Sequence, residues 1–197
     1  LYLAVGDADK PNETAQNLNS LKGKILRFDF SEINLKPEIV AYGLRNPWGL
    51  TIDSQDRIFV SQCGAGTVEA VYLLDVLSAV NPMNIGWPVY EGSQKMIETY
   101  SLNINKIETP IFEYKNRPGC SSAGVYLEEI ETFVHADFYG TIRLITQNKD
   151  GEWYSYHEHS QDEMIWSLGL DKESDKIYVA PKNLELEVSI TEVDSKE

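Results

Sequence analysis

The sequence predicts an all-β fold and, within that class, a β-propeller. Apolar residues come in short, mostly alternating runs broken by Gly, Pro, Asn and Asp, a period of two that leaves no room for long helices. Residues 48–62, WGLTIDSQDRIFVSQ, recur as residues 166–181, WSLGLDKESDKIYVAP. The shared unit is Trp, Leu, an aliphatic residue, Asp, a polar turn, a basic residue and an Ile-aromatic-Val strand. Each copy runs into a further strand, EAVYLLDV or LEVSITEV. Antiparallel units recurring at roughly 40 to 60 residues mark propeller blades. A β-sandwich makes similar strands without requiring the unit to recur.

The elements follow in order. Residues 1–5, LYLAV, and 24–30, KILRFDF, repeat the second half of the unit. Strands at 50–53, 58–62 and 70–74 make up its first full copy, and the one helical turn expected is short, at 75–79. Further strands are expected at 111–114, 124–127 and 140–146, the last overlapping FVHADFYGTIRLI (133–145), a looser fourth copy. Strands at 152–156, 165–170, 176–180 and 188–193 complete the set. At roughly 40 to 50 residues per blade, the chain supplies about four blades. A ring needs closure to bury its edges, so residues 1–197 are expected to form part of one propeller domain, completed by a segment upstream of Leu1 or by another chain.

The chain of 197 residues has 31 acidic and 17 basic side chains, a formal charge of -14. That surface repels phosphate backbones and anionic membranes, which argues against nucleic acid as a partner. No apolar run reaches the roughly 18 to 20 residues of a membrane helix. Cys63 and Cys120 allow one disulfide in an oxidising compartment or two buried thiols.

The motif GLRNPWGLTID (43–53) sets an Arg, an Asn, a Pro and a Trp immediately before a strand. Together with LYLAVGD, GKILRFDF, NIGWPVYEG, PIFEY and FVHADFYGTIRLI, in that family's order, it resembles the soluble glucose and sorbosone dehydrogenases, aldose sugar dehydrogenases dependent on pyrroloquinoline quinone (PQQ). The resemblance spans nearly the whole chain. It implies a six-bladed propeller, hydride transfer from an aldose to the quinone, electrons passed to an external acceptor, and an extracellular or periplasmic setting. It makes Arg45 a catalytic group that stabilises charge on a quinone oxygen, Asn46 a cofactor contact, and Trp48 a pocket or core residue. Asp7, after the first strand, orients active-site groups. Calcium is implied beside the cofactor, held by the backbone carbonyls of Cys63 and Gly64, although Cys63 stands where the family usually has Gly. Trp87, in the Gly86-Trp87-Pro88 loop, is expected to pack.

Two features depart from that family. Its general base, a histidine, is expected upstream of LYLAVGD. His135 reads as a loop residue, and His157 and His159 share one face of a strand without a third ligand for zinc. Leu127 stands where the family carries a Lys or Arg that holds a cofactor carboxylate, and Glu128 and Glu129 follow it, which disfavours a tricarboxylated quinone. The competing reading is a noncatalytic propeller that binds a protein or glycan, as the related hedgehog-interacting proteins do with this scaffold.

Overall fold

Alternating runs and polar turns give four sheets of three or four strands, two in each of two units, Leu1–Cys120 and Ser121–Glu197. The computed structural model describes residues 1–77, 82–98, 106–115, 120, 124–160, 164–173, 176–181 and 186–189. In the first unit, β1 (Tyr2–Val5), β2 (Lys24–Arg27) and β3 (Glu38–Tyr42) form an antiparallel meander. A second meander comprises β4 (Asn46–Ile52), β5 (Ile58–Cys63) and β6 (Val68–Leu74). The two-residue strand β7 (Met83–Asn84) runs parallel to β3, and β8 (Tyr90–Glu91) pairs with β9 (Gln94–Lys95). The second sheet is completed by β10 (Phe112–Lys115) against β6.

In the second unit, β11 (Val125–Leu127), β12 (Thr132–Ala136), β13 (Thr141–Gln147) and β14 (Trp153–Ser160) form one antiparallel sheet. The strands β15 (Ile165–Asp171), β16 (Lys176–Pro181) and β17 (Leu186–Ser189) form the other. The expected strand at 188–193 begins two residues early as β17, and 190–193 lie outside the described residues.

Each unit closes its own core between its two sheets. In the first, Ile25 and Ala41 pack with Ile58, Val60, Ala70 and Tyr72. In the second, Val134, Ala136 and Leu144 pack with Ile165, Leu168 and Val179. Sheet facing sheet, each apolar on the inner side, is how propeller blades bury their faces.

The hairpins share one device. Asp53 Oδ1 accepts the N–H groups of Gln55 (3.0 Å) and Arg57 (2.9 Å). Asp137 Oδ1 accepts those of Tyr139 (2.9 Å) and Thr141 (3.1 Å), and Asn148 Oδ1 those of Asp150 and Glu152 (both 2.9 Å). The residue three places on has positive φ in each: Asp56 (59°), Gly140 (81°) and Gly151 (82°). A short side-chain acceptor thus satisfies two donors of the turn while the left-handed residue reverses the chain.

Two expectations are corrected. Residues 75–77 are not helical: Val76 and Leu77 form a turn, and 78–79 lie outside the described residues. Helical structure appears instead at α1 (Pro11–Thr14), started by a proline whose missing N–H costs nothing in a first turn, and as a 3-10 turn at Glu128–Ile130. His135 is not in a loop. It is a fully buried residue of β12, its ring stacked on Phe133 at 5.8 Å.

Candidate functional site

The ends of β1 and β4 meet where the backbone N–H of Asp7 donates to the carbonyl of Arg45 at 2.8 Å. The chain reaches Arg45 through Gly43, whose φ of 73° and close approach to the Gln16 and Asn84 side chains exclude a β-carbon. The N–H of Arg45 donates to Gln62 Oε1 at 2.9 Å, which fixes the start of β4 on the end of β5.

The Arg45 guanidinium is anchored by one nitrogen. Its Nη1 donates to the carbonyls of Gly64 (2.6 Å) and Cys63 (3.2 Å), and its Cζ lies 5.9 Å from the centre of the Trp87 ring. Cation and aromatic face attract at that distance. Trp87 is held in turn by its Nε1–H, which donates to Asp7 Oδ2 at 2.8 Å. Asp7, Trp87 and Arg45 therefore form one connected cluster, so Trp87 does more than pack. Among the described residues, Arg45 Nε and Nη2 have no hydrogen-bond acceptor.

Arg45 lines a cleft of ≈ 420 Å³ with Gly6, Asp7, Asp9, Lys22 and Asn46. The backbone of Lys22 is placed by buried Lys24, whose ammonium donates to the carbonyls of Lys22 (2.7 Å), Thr14 (2.9 Å) and Ala15 (3.0 Å). Burial pushes the Lys24 pKa down to about 8, so it remains largely charged at neutral pH.

The loop after β5 is pinned from both sides. Cys63 is bonded to Cys120 in a disulfide, which resolves the alternative the sequence left open. Buried Glu91 accepts from the N–H groups of Ala65 (2.6 Å), Gly66 (3.1 Å), Thr67 (3.2 Å) and Val68 (3.4 Å) through Oε1, and from the Thr67 hydroxyl (2.7 Å) through Oε2. Burial raises the Glu91 pKa, but these bonds to the carboxylate outweigh it and leave a net lowering. The N–H of Gly64 donates to buried Glu69 at 3.2 Å. A β-carbon on Gly64 would collide with the Val68 carbonyl and Glu91 Oε1.

Of the residues singled out in the sequence, Asp7, Arg45, Asn46, Cys63 and Gly64 come together. Trp48 is 40% exposed, occupies a bulge of β4 opposite β5, and does not line the cleft. Its repeat counterpart Trp166 occupies the same kind of bulge in β15, which gives the shared tryptophan a place in blade geometry. Leu127 packs in the core of the second unit. His159 is exposed on β14, and the buried His135 belongs to a core sheet. Sequence reasoning missed Lys22 and Glu91. Lys22 sits in a polar loop with no motif, while Glu91 was legible as a carboxylate in Tyr90-Glu91-Gly92 but not as the acceptor for a loop more than twenty residues upstream.

The family model described as Glucose / Sorbosone dehydrogenase matches residues 1–139. The HIPL2 protein of Arabidopsis thaliana is 36% identical over an alignment covering 47% of this chain and 17% of that protein. The aldose sugar dehydrogenase YliI of Escherichia coli K12 is 25% identical over 64% of this chain and 37% of its own length. The PQQ-bound aldose sugar dehydrogenase from Streptomyces coelicolor superposes with a TM-score of 0.66 at 20% identity, covering 90% of this chain and 51% of the other. The chain thus spans about half of that structure and less of the two relatives. The superposition carries the propeller fold, and the family match over most of the chain carries the lineage: this chain belongs to the glucose/sorbosone dehydrogenase family.

Proposed function

We propose that the cleft at the ends of β1 and β4 is the cofactor wall of a PQQ-dependent dehydrogenase acting on aldose sugars. The observation that carries this reading is Arg45: one nitrogen is fixed on the loop carbonyls, and Nε and Nη2 remain for a ligand in the cleft it lines. A guanidinium held in place before the ligand arrives stabilises an oxygen that gains negative charge without reorganising during the reaction. Lys22 adds a second cation to a cleft also lined by the carboxylates of Asp7 and Asp9, and the two cations are the groups that would pair with the carboxylates and carbonyls of the quinone. When bound, the quinone supplies the two-electron acceptor for the sugar. Asp7 keeps Trp87 against the guanidinium, and Asn46 offers an amide on the same wall. Electrons then leave to an external acceptor. The Cys63–Cys120 disulfide supports an extracellular or periplasmic setting. Calcium does not fit these residues as arranged, because both carbonyls expected to hold it accept from Arg45.

Calorimetric titration of PQQ tests the reading, with dye reduction on a panel of aldoses as the second measurement. Wild type is expected to bind PQQ and Arg45→Ala to bind it at least about tenfold more weakly, as loss of a charge-assisted bond of about 1.5–3 kcal/mol requires. Absence of PQQ binding by the wild type rejects the proposal. The observation favouring the noncatalytic alternative, a propeller for a protein or glycan partner, is Leu127, which leaves position 127 apolar and buried.

A further inference from the structure

We infer that the loop Cys63–Gly64 is a cation site already filled by the protein's own Arg45, and that the loop holds its shape without calcium. Nη1 lies 2.6 Å from the Gly64 carbonyl and 3.2 Å from that of Cys63. A calcium ion binds oxygen at about 2.3–2.6 Å and collects six to eight such ligands. An ion between these two carbonyls would stand in contact with a guanidinium of like charge.

The carboxylates beside the loop are already engaged. Both oxygens of Glu91 are committed to residues 65–68, and Glu69 is engaged by the Gly64 N–H. The amide donors of residues 64–68 are thus read by two carboxylates, and the carbonyl acceptors of residues 63–64 by one guanidinium. Trp87 covers the same guanidinium, and the disulfide fixes the Cys63 end. Such a loop has its charges balanced from within. Gly64 is required for it, since a side chain there would displace either Glu91 or the backbone of Val68.

The test uses the full chain stripped of metal, followed by thermal unfolding in chelator or in millimolar calcium chloride and by titration with terbium as a luminescent calcium probe. For the wild type the midpoint is expected to be the same in both buffers, with no saturable terbium emission sensitised by Trp87. Arg45→Met keeps the length of the side chain and removes its charge. It is expected to bind calcium at least tenfold more tightly than the wild type and to be stabilised by it, whereas Arg45→Lys, which restores a cation, stays indifferent. Saturable terbium emission in the wild type that Trp87→Phe abolishes overturns the inference, and so does an Arg45→Met variant that gains nothing. If Arg45→Met does not fold, the wild-type titration decides. None of these measurements uses the quinone, so the inference and the dehydrogenase reading fail separately.

Discussion

At the scale of single residues, burial decides more than residue type. Histidine is the side chain most often recruited for chemistry near neutral pH, but His135 has no exposed surface and stacks on Phe133. Desolvation, helped by the nearby Arg143 guanidinium, pushes its pKa from 6.5 down to about 3. The sign follows from proton counting. Between those two values the unfolded chain binds a proton that the native protein does not, so stability is complete above pH 6.5 and lost as the pH falls toward 3. The expected slope is about 1.4 kcal/mol per pH unit in that window. Urea unfolding of wild type and His135→Phe between pH 7 and pH 4.5 checks it. The phenylalanine variant should show a slope smaller by one proton, and parallel slopes would reject the assignment. Arg45 shows the converse, since its motif was legible in the sequence and its anchoring was not. Arg-Asn-Pro announces a turn with a cation, whereas the carbonyls that receive Nη1 lie 18 and 19 residues further along the chain.

At the scale of elements, the hairpins were the most legible part of the fold because their signal is local. An Asp that opens a tight turn becomes the acceptor of two turn amides and pairs with an arginine beyond the turn: Asp53 Oδ2 with Arg57 Nε at 2.7 Å, and Asp137 Oδ2 with Arg143 Nη1 at 2.8 Å. The strands β3, β7, β8, β9 and β12 escaped the sequence reading for the opposite reason. The apolar residues of β3 are consecutive rather than alternating, and β7, β8 and β9, at two residues each, are too short to carry a period. The two ion pairs differ in surroundings, and that difference is testable. Arg143 is almost wholly buried, with a second bond to Glu158, whereas Arg57 keeps about a quarter of its side chain in water. Asp137→Ala leaves a buried guanidinium short of its main partner and is expected to cost about 3–5 kcal/mol. Asp53→Ala should cost less, about 1–3 kcal/mol, because water reaches Arg57. Chemical denaturation of the two variants measures both, and an equal or reversed order would show that burial of the arginine is not what sets the cost.

At the scale of the molecule, the repeat that suggested a propeller is found in both units, while each unit has its own hydrophobic core. Two separate cores would permit two separate folding units. The family match argues otherwise, because it runs from residue 1 to residue 139 and so crosses the division after Cys120. We propose that residues 1–197 behave as one domain. The four tryptophans allow a direct measurement, since Trp48 and Trp87 lie in the first unit and Trp153 and Trp166 in the second. Replacing either pair with phenylalanine leaves emission that reports on one unit. If unfolding is a single cooperative event, each variant's emission curve in urea must coincide with its own circular dichroism curve. The slope with denaturant must then be that of the whole chain, because it scales with the surface exposed in the transition. Independent units would instead give emission transitions that depart from the dichroism, each with a shallower slope set by its smaller surface. Such a departure in either variant, beyond the error of the midpoints, would reject the single domain and leave the chain as two autonomous pairs of sheets.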